Sequence, residues 1–511
     1  MTVMHTNDTH ANLDNVARTI TAIKQVRAER PYNVLLSAGD VFSGTLYFNK
    51  YKGQADLEFM NLAGYDAMTF GNHEFDLGSE PLAPFVKNAK FPFVSANVDF
   101  SQDLLMKELQ RKEYSDNPEN GKIFNGIVKT INGQKVGIFG LTTEETPSIS
   151  SPGSIAFKNY VDSAKEAVNE FEKQGINKII AVTHIGYTDG GGDNDLLLAK
   201  YVEGIDVIVG GHDHYQIDKP VKVTNFGEPT IIVQAKEYNK YLGTLNVGFD
   251  ENGKVVSHHG GLIDLNAKAA DGSYKIPEDA EAKEILETKY KPAVDEMKQE
   301  VVGKTTVELA GGNPAARTAE TNLGNFIADG MLAKAKKINP ETTIALQNGG
   351  GVRTTIKAGD ITTSDILTVL PFGNALGIME LTGAEIQEAL EHSVKEAPKP
   401  SGAFLQIAGL KYTYDSTKPE GSRVLSVEAA DKDGHYAPLN LTQTYTIATN
   451  IFTAKGGDGY EMFAKAYAEG RVSEPGFVDW EVFKEYLEVQ PEKTISPAVE
   501  GRIIDAAAKK D

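Results

Sequence analysis

Residues 69–76, Thr69-Phe70-Gly71-Asn72-His73-Glu74-Phe75-Asp76, follow the run Tyr65-Asp66-Ala67-Met68 and set an amide, an imidazole and two carboxylates where an apolar segment stops. A strand that ends there and a helical turn that begins there leave little backbone between these groups, so their side chains can converge on one point. Four other stretches repeat the pattern. Asp8 and His10 follow Thr2-Val3-Met4; Asp40 follows Asn33-Val34-Leu35-Leu36; His184 follows Lys178-Ile179-Ile180-Ala181-Val182; His212 and His214 follow Asp206-Val207-Ile208-Val209-Gly210. Short, largely apolar and mostly β-branched runs predict buried strands. Ligands of α/β sheets gather beyond the carboxyl ends of the strands. Five strands ended by metal-type ligands therefore predict an α/β sheet with a metal site along one edge.

His, Asp and Asn without Cys suit borderline-to-hard divalent ions such as Mn, Zn, Fe, Mg or Ni. Several such ligands around one shared carboxylate suit two ions roughly 3.5 to 4 Å apart. Asp8 and His10, two residues apart on an extended segment, project to one side and can hold an ion together. His73 and Asp76 are three apart, a spacing that joins side chains on a first helical turn, so the carboxylate can orient the imidazole and keep it protonated.

In order and spacing, "DTH" at 8–10, "GDVFSG" at 39–44, "GNHEFD" at 71–76, "THIG" at 183–186 and "GHDH" at 211–214 resemble the calcineurin-like metallophosphoesterases, specifically the 5'-nucleotidase family. The resemblance covers nearly the whole chain. It implies an α/β fold: an N-terminal layered catalytic domain over residues 1–270, a β sandwich flanked by helices, then a helical linker or hinge over 271–300. A C-terminal α+β substrate-binding domain follows over 301–511. It also implies that Asp8, His10 and His214 hold a first ion, that Asn72, His184 and His212 hold a second, and that Asp40 bridges. His214 departs from the amide common at that position in such nucleotidases, which bears on metal preference and affinity. The His73–Asp76 pair takes the family's role of stabilising the charged transition state and assisting the leaving oxygen.

At 511 residues, two domains of roughly 200 to 270 residues are expected. A formal charge of −20 disfavours a nucleic-acid polymer as partner, because such binding draws on clustered Lys and Arg. The absence of cysteine excludes thiolate ligands, a Cys nucleophile and disulfides. No apolar run reaches the roughly 18 residues of a membrane span. The chain opens inside its first apolar run; since the family is mostly exported, the resemblance implies an extracytoplasmic protein whose leader is absent here.

Along the first half, Leu13, Val16, Ile20, Ile23 and Val26 form a helical stripe ended by Pro31. Residues 104–121 are polar and charged, and predict a surface insertion. Residues 278–287 are charged on most faces, predicting a solvated connecting helix with sparse apolar anchoring that Pro292 breaks or kinks. In the family it resembles, the domains rotate between open and closed states.

In the second half, Arg317 and Arg353 each have the fork geometry for phosphate oxygens, although the glycines at 349–351 are equally explained by a tight turn. Phe372 and Phe452 follow strand-like runs and precede glycine-rich turns, where a ring can stack on a base; core packing is the other fate of such residues. The resemblance selects stacking: "NGGGVR", "LPFGN" and "NIFTAKGGDGY" look like the loops that clamp a nucleoside, with Arg317, Asn348, Arg353 and Asn374 as polar neighbours and Asp458 facing the ribose. Asp431-Lys432-Asp433-Gly434 reads as a hairpin turn, His258, His259, His392 and His435 lack ligand neighbours in sequence, and residues 187–193 read as a solvated loop.

The expected activity is two-metal hydrolysis of nucleoside 5'-monophosphates to nucleoside and inorganic phosphate, a metal-activated water attacking phosphorus in line, with Mn, Zn or similar ions. The same centre acts on any phosphoryl group it reaches, which leaves a 2',3'-cyclic nucleotide phosphodiesterase or a UDP-sugar pyrophosphatase as the alternative. A non-catalytic nucleotide-binding surface protein is the alternative of another class, and such homologues are expected to lose ligands that this chain retains.

Overall fold

A computed structural model describes residues 1–188 and 192–507, which fall into two compact units, Met1–Val294 and Asp295–Asp511. The first is built on one 13-stranded sheet. From one edge its strands run Val221–Asn225, Glu228–Val233, Val207–Val209, Ile179–His184, Gln134–Thr142, Ile123–Ile131, Phe93–Val94, Ala67–Met68, Asn33–Ser37, Thr2–Thr6, Tyr241–Phe249 and Val255–Asp264, with Gln110–Ser115 also on Ile123–Ile131. Thr2–Thr6, Asn33–Ser37 and Ala67–Met68 pair in parallel, as do Ile179–His184 and Val207–Val209. Parallel pairing brings their carboxyl ends, and the residues that follow, to the same edge.

Both faces of these strands are covered, which is why they read as unbroken apolar runs rather than alternating ones. Val3, Leu36, Ala67, Ile180, Val182 and Val209 belong to one buried cluster drawn from strands across the sheet, so the sheet curls and packs its inner face on itself. The intervening Ala181 and Ile208 turn the other way and pack with Ala164, Ala167 and Phe171 of the helix Tyr160–Lys173. The fold is the layered α/β domain expected.

The second unit is α+β. Its central five-stranded sheet has the order Leu405–Ala408, Thr342–Asn348, Thr444–Asn450, Leu376–Thr382, Val472–Ser473. The helix Asn322–Ile338 packs against it, capped by the Thr321 hydroxyl, which accepts the N–H of Gly324. Glu320, just before the cap, has a carboxylate that accepts Nδ2–H of Asn325 and the N–H of Glu500. Asp431 closes the expected hairpin, accepting the N–H groups of Asp433 and His435. Among the described residues, no helix is long and apolar enough to cross a membrane.

Two segments differ from their sequence expectation. Residues 104–121 contain an edge strand, Gln110–Ser115, whose charged composition hides it because exposed edges select against apolar pairing surfaces. The connecting segment is better anchored than its charges suggest: Ala282, Leu286, Tyr290 and Val294 recur every fourth residue and are buried. Tyr290 packs on Tyr51 and Phe59, and its hydroxyl donates to Glu58, which also pairs with Lys289. Pro292 does not break the helix. A π turn, Leu286–Tyr290, precedes it and accommodates the hydrogen bond that proline cannot donate.

One buried acid affects stability. Asp56, 3 % exposed on the helix Gln54–Ala63, faces a small internal cavity beside Thr9 and Tyr65, and its Oδ2 has no hydrogen-bond partner. Burial pushes its carboxyl up to about 8. The folded state thus retains a proton that the unfolded chain releases near pH 4, so this group's contribution is favourable at low pH and is lost as pH rises from about 4 to about 8. Asp56→Asn is expected to remove that component and to raise stability at pH 8 by on the order of a few kcal/mol, with little gain at pH 4. Urea unfolding of both proteins at the two pH values tests this; an equal shift at both would refute it.

Candidate metal centre

Each candidate ligand stands at or just beyond a strand end. Asp8 and His10 follow Thr2–Thr6, Asp40 follows Asn33–Ser37, Asn72 follows Ala67–Met68, His184 closes its own strand, and His212 and His214 follow Val207–Val209. Asp8, Asp40, Asn72 and His184 are at most 1 % exposed. Asp8, His10 and His214 bring one donor atom each to within 4.8 Å of one another, and so do Asp40, His184 and His212. Asn72 Oδ1 lies 2.9 Å from His212 Nδ1 and so adjoins the second group. Asp40 Oδ2 is 3.0 Å from His184 Nε2 and 3.7 Å from His10 Nε2, which makes it the carboxylate common to both.

Hydrogen bonds fix how the imidazoles present themselves. His184 Nδ1–H donates to the carbonyl of Ala38 at 2.7 Å and His10 Nδ1–H to that of Phe42 at 3.1 Å, leaving each Nε2 lone pair turned inward. His184 Nε2 is buried without a hydrogen-bond partner of acceptable geometry, and His10 Nε2 faces His214 Nε2 at 3.1 Å. Lone pairs converging in this way, among buried carboxylates, fit a divalent cation. The backbone adopts uncommon conformations to achieve it: Asp8, His10, Asp40, His212 and His214 all have positive φ, between 46° and 87°. Gly71 is needed for a different reason, since a Cβ there would stand 2.0 Å from Asp40 Oδ1.

Burial opposes ionisation of Asp40, but His184 and then His73 outweigh it and hold the carboxyl well below its ordinary range. Burial lowers His10 to about 3, leaving it the neutral imidazole that a ligand must be. His73 behaves differently. Burial pulls it down, but Asp76 and then Asp40 raise it to about 10. Its Nδ1–H donates to Asp76 Oδ2 at 2.7 Å, while Nε2 stands 3.9 Å from Asp40 Oδ2 and joins a third donor group with His10 and Asp40. Asp76 is itself held by hydroxyls, accepting from Ser150 at 2.9 Å and from Ser43.

In the second unit the expected substrate residues form two pairs. Asn348 Nδ2–H donates to Asp458 Oδ2 at 2.7 Å, and its Oδ1 accepts from Asn450 at 2.8 Å and from Gln347 at 3.1 Å. The Arg353 guanidinium lies 5.5 Å over the Phe372 ring. Phe372 is 53 % and Phe452 46 % exposed, so neither ring is core. Phe452 follows the strand Thr444–Asn450 as expected and lies in the first turn of the short helix Ile451–Ala454, whereas Phe372 differs from its expectation, following a helix, Thr363–Val369. The Phe452 ring covers Gly457, where a Cβ would stand 2.5 Å away. Arg317 carries a buried Nε with no hydrogen-bond partner, and the Asn374 carbonyl accepts the N–H of Asp479.

Several contributors escaped the sequence reading. Asn7 donates to Asp8 Oδ2 at 2.6 Å, Ser43 and Ser150 hold Asp76, and Glu74 gathers backbone N–H groups around Asp40. Ser43 lies inside a quoted motif without a chemical signal, Glu74 is one of the two carboxylates read at 69–76 but its bonding to backbone is not visible there, and Asn7 and Ser150 carry no signal. Of residues 187–193, positions 189–191 lie outside the described residues, while the N–H groups of Tyr187 and Thr188 donate to Asp213.

Residues 1–216 match the family model described as calcineurin-like phosphoesterase, and residues 301–465 match that of the 5'-nucleotidase C-terminal domain. The chain is 46% identical, over 98% of its length, to the trifunctional nucleotide phosphoesterase protein YfkN of Bacillus subtilis, and spans 35% of that protein. It is 34% identical to a snake venom 5'-nucleotidase of Naja atra, covering 99% of both chains. The crystal structure of a 5'-nucleotidase precursor from Thermus thermophilus matches it at 40% identity and a TM-score of 0.60, again over 99% of both.

Proposed function

Since this chain belongs to the 5'-nucleotidase family of calcineurin-like phosphoesterases, we propose that it hydrolyses nucleoside 5'-monophosphates to nucleoside and inorganic phosphate. It is a metal-dependent phosphoesterase. The observation that carries the finer assignment is Asp40, within reach of both donor groups, which suits a pair of ions rather than one. Asp8, His10 and His214 would hold one ion and Asn72, His184 and His212 the other, with Asp40 between them; Mn and Zn suit this N/O donor set. When bound, such ions supply Lewis acidity and an activated water for in-line attack on phosphorus. His73, tied to Asp76, directs its Nε2–H toward charge developing on the phosphoryl and leaving oxygens.

For substrate choice, the support is two exposed rings without a core role, Phe372 and Phe452, and the paired Asn348 and Asp458. We assign the rings to the base and Asp458 to the ribose hydroxyls, with Arg317, Arg353 and Asn374 as polar contacts. An extracytoplasmic location goes with this reading, supported by a relative named for venom.

The test is phosphate release from 5'-AMP, a 2',3'-cyclic nucleotide and a UDP-sugar by metal-stripped protein, with and without Mn. Metal-dependent preference for 5'-AMP is expected. Phe372→Ala and Phe452→Ala should each raise KM for 5'-AMP on the order of tenfold with a smaller change in kcat, since stacking is lost equally from ground and transition states. Preference for the cyclic or sugar substrate, or unchanged KM in both variants, would refute the pocket assignment and leave the metal assignment standing.

A further inference from the structure

Glu74 takes no part in the chemistry above, yet its side chain is fully engaged beside the centre. It is wholly buried, and its carboxylate accepts four backbone N–H groups. Oε1 takes those of Val41 at 2.7 Å and Phe42 at 3.1 Å; Oε2 takes those of Asp40 at 2.9 Å and Gly71 at 2.6 Å. Three donors belong to the loop after Asn33–Ser37, the fourth to the loop after Ala67–Met68 that leads into Asn72. One carboxylate thus ties together two segments that bear candidate ligands.

The residue between those ties is Asp40, at φ +55°. Its own contacts radiate from that conformation: its Oδ1 accepts the N–H of His73 at 2.9 Å, and its carbonyl accepts the N–H of His10 at 3.0 Å. A left-handed aspartate is disfavoured in isolation and persists only where its surroundings over-determine it. Hydrogen bonds from successive N–H groups to a buried carboxylate are of the strong, charge-assisted kind, and a buried N–H left unpaired is costly. Without the acceptor, Asp40, Val41, Phe42 and Gly71 would each lose a partner, and the loop would relax toward ordinary backbone, carrying the shared carboxylate away from both donor groups.

We propose that Glu74 is a positioning residue for the metal centre: it presets the left-handed Asp40 loop for cation binding without touching ion or substrate. This rests on the assignment of Asp40 as the shared ligand. In Glu74→Gln the amide NH2 replaces one acceptor and opposes two of the four donors, while volume and burial hardly change.

The experiment is Mn titration of metal-stripped wild-type protein and Glu74→Gln by calorimetry, beside their thermal unfolding and the KM for 5'-AMP at saturating Mn. Expected are a Mn affinity weakened roughly tenfold to a hundredfold, a cooperative unfolding transition, and a KM within about threefold of wild type. Equal Mn affinity in the two proteins would overturn the inference, and failure of the wild type itself to bind Mn would overturn the assignment of Asp40 together with it. Should Glu74→Gln not fold, hydrogen exchange of metal-free wild type decides. Amides of residues 40–42 protected like those of Asn33–Ser37 are expected, and rapid exchange there would overturn the inference.

Discussion

Asp40→Ala is expected to lower phosphate release from 5'-AMP by at least about 10³-fold at any Mn concentration, because in the proposed centre this carboxylate would be shared by both ions and metal clamping would supply several kcal/mol of transition-state stabilisation. The loss should fall on metal binding and chemistry rather than on folding. Asp40 is 1 % exposed and its charge is held by His184 and His73, so removing it takes a counter-charge from those imidazoles and leaves the N–H of His73 without its acceptor, both of which cost stability. The metal-free variant should therefore unfold somewhat below the wild-type temperature but still cooperatively, whereas the stabilisation that Mn confers on the wild type should vanish. Phosphate release, Mn titration and thermal unfolding with and without Mn test this together. Retained release with wild-type Mn affinity would remove Asp40 from the centre.

His73→Ala should lower kcat for 5'-AMP by roughly 10² to 10⁴-fold, the range a positioned proton donor commands, while leaving Mn affinity within a few-fold of wild type. The geometry separates it from the ligands. Its Nδ1–H is committed to Asp76, which in turn is gripped by Ser43 and Ser150, so the ring is aimed by three partners. If it assists the departing oxygen, the penalty must depend on the leaving group: p-nitrophenyl phosphate, which leaves readily as an anion, should suffer much less than 5'-AMP. A drop in Mn affinity matching the drop in rate, with equal penalties for the two substrates, would mark His73 as a ligand instead, as its place in the donor group with His10 and Asp40 permits.

Much of this was legible in the chain because parallel strands covered on both faces must be apolar throughout, so a polar residue at the end of such a run stands out, as Asp8, Asp40 and His184 do. Other features follow from three-dimensional neighbours that spacing does not encode. Leu367-Thr368-Val369-Leu370 is as apolar as a strand, but the capping box of Thr362 and Asp365 makes it the end of a helix. Gln110–Ser115 is a strand disguised by its exposed edge. Along 282–294 the apolar row is thin enough, with Ala282 among its members, for the charges to dominate the pattern. Asp56 sits in a helical pattern that does not show which face meets an internal cavity. Glu74 was visible as a letter of a motif, but its function lies in backbone groups more than 30 residues away.

Thr2–Thr6 lies between Asn33–Ser37 and Tyr241–Phe249, and His10 meets His214 across 204 residues of chain. Asp8, His10, Asp40 and Asn72 lie within 65 residues of one another in the chain, yet the strand Thr2–Thr6 keeps one edge unpaired until residues 241–249 are made. Hydrolysis is thus a property of high contact order, acquired late. Recovered phosphatase activity during refolding should report closure of the sheet around the strand Thr2–Thr6, not the faster appearance of helices, and a nascent chain that has not reached His214 should be catalytically silent however well its earlier segments have folded.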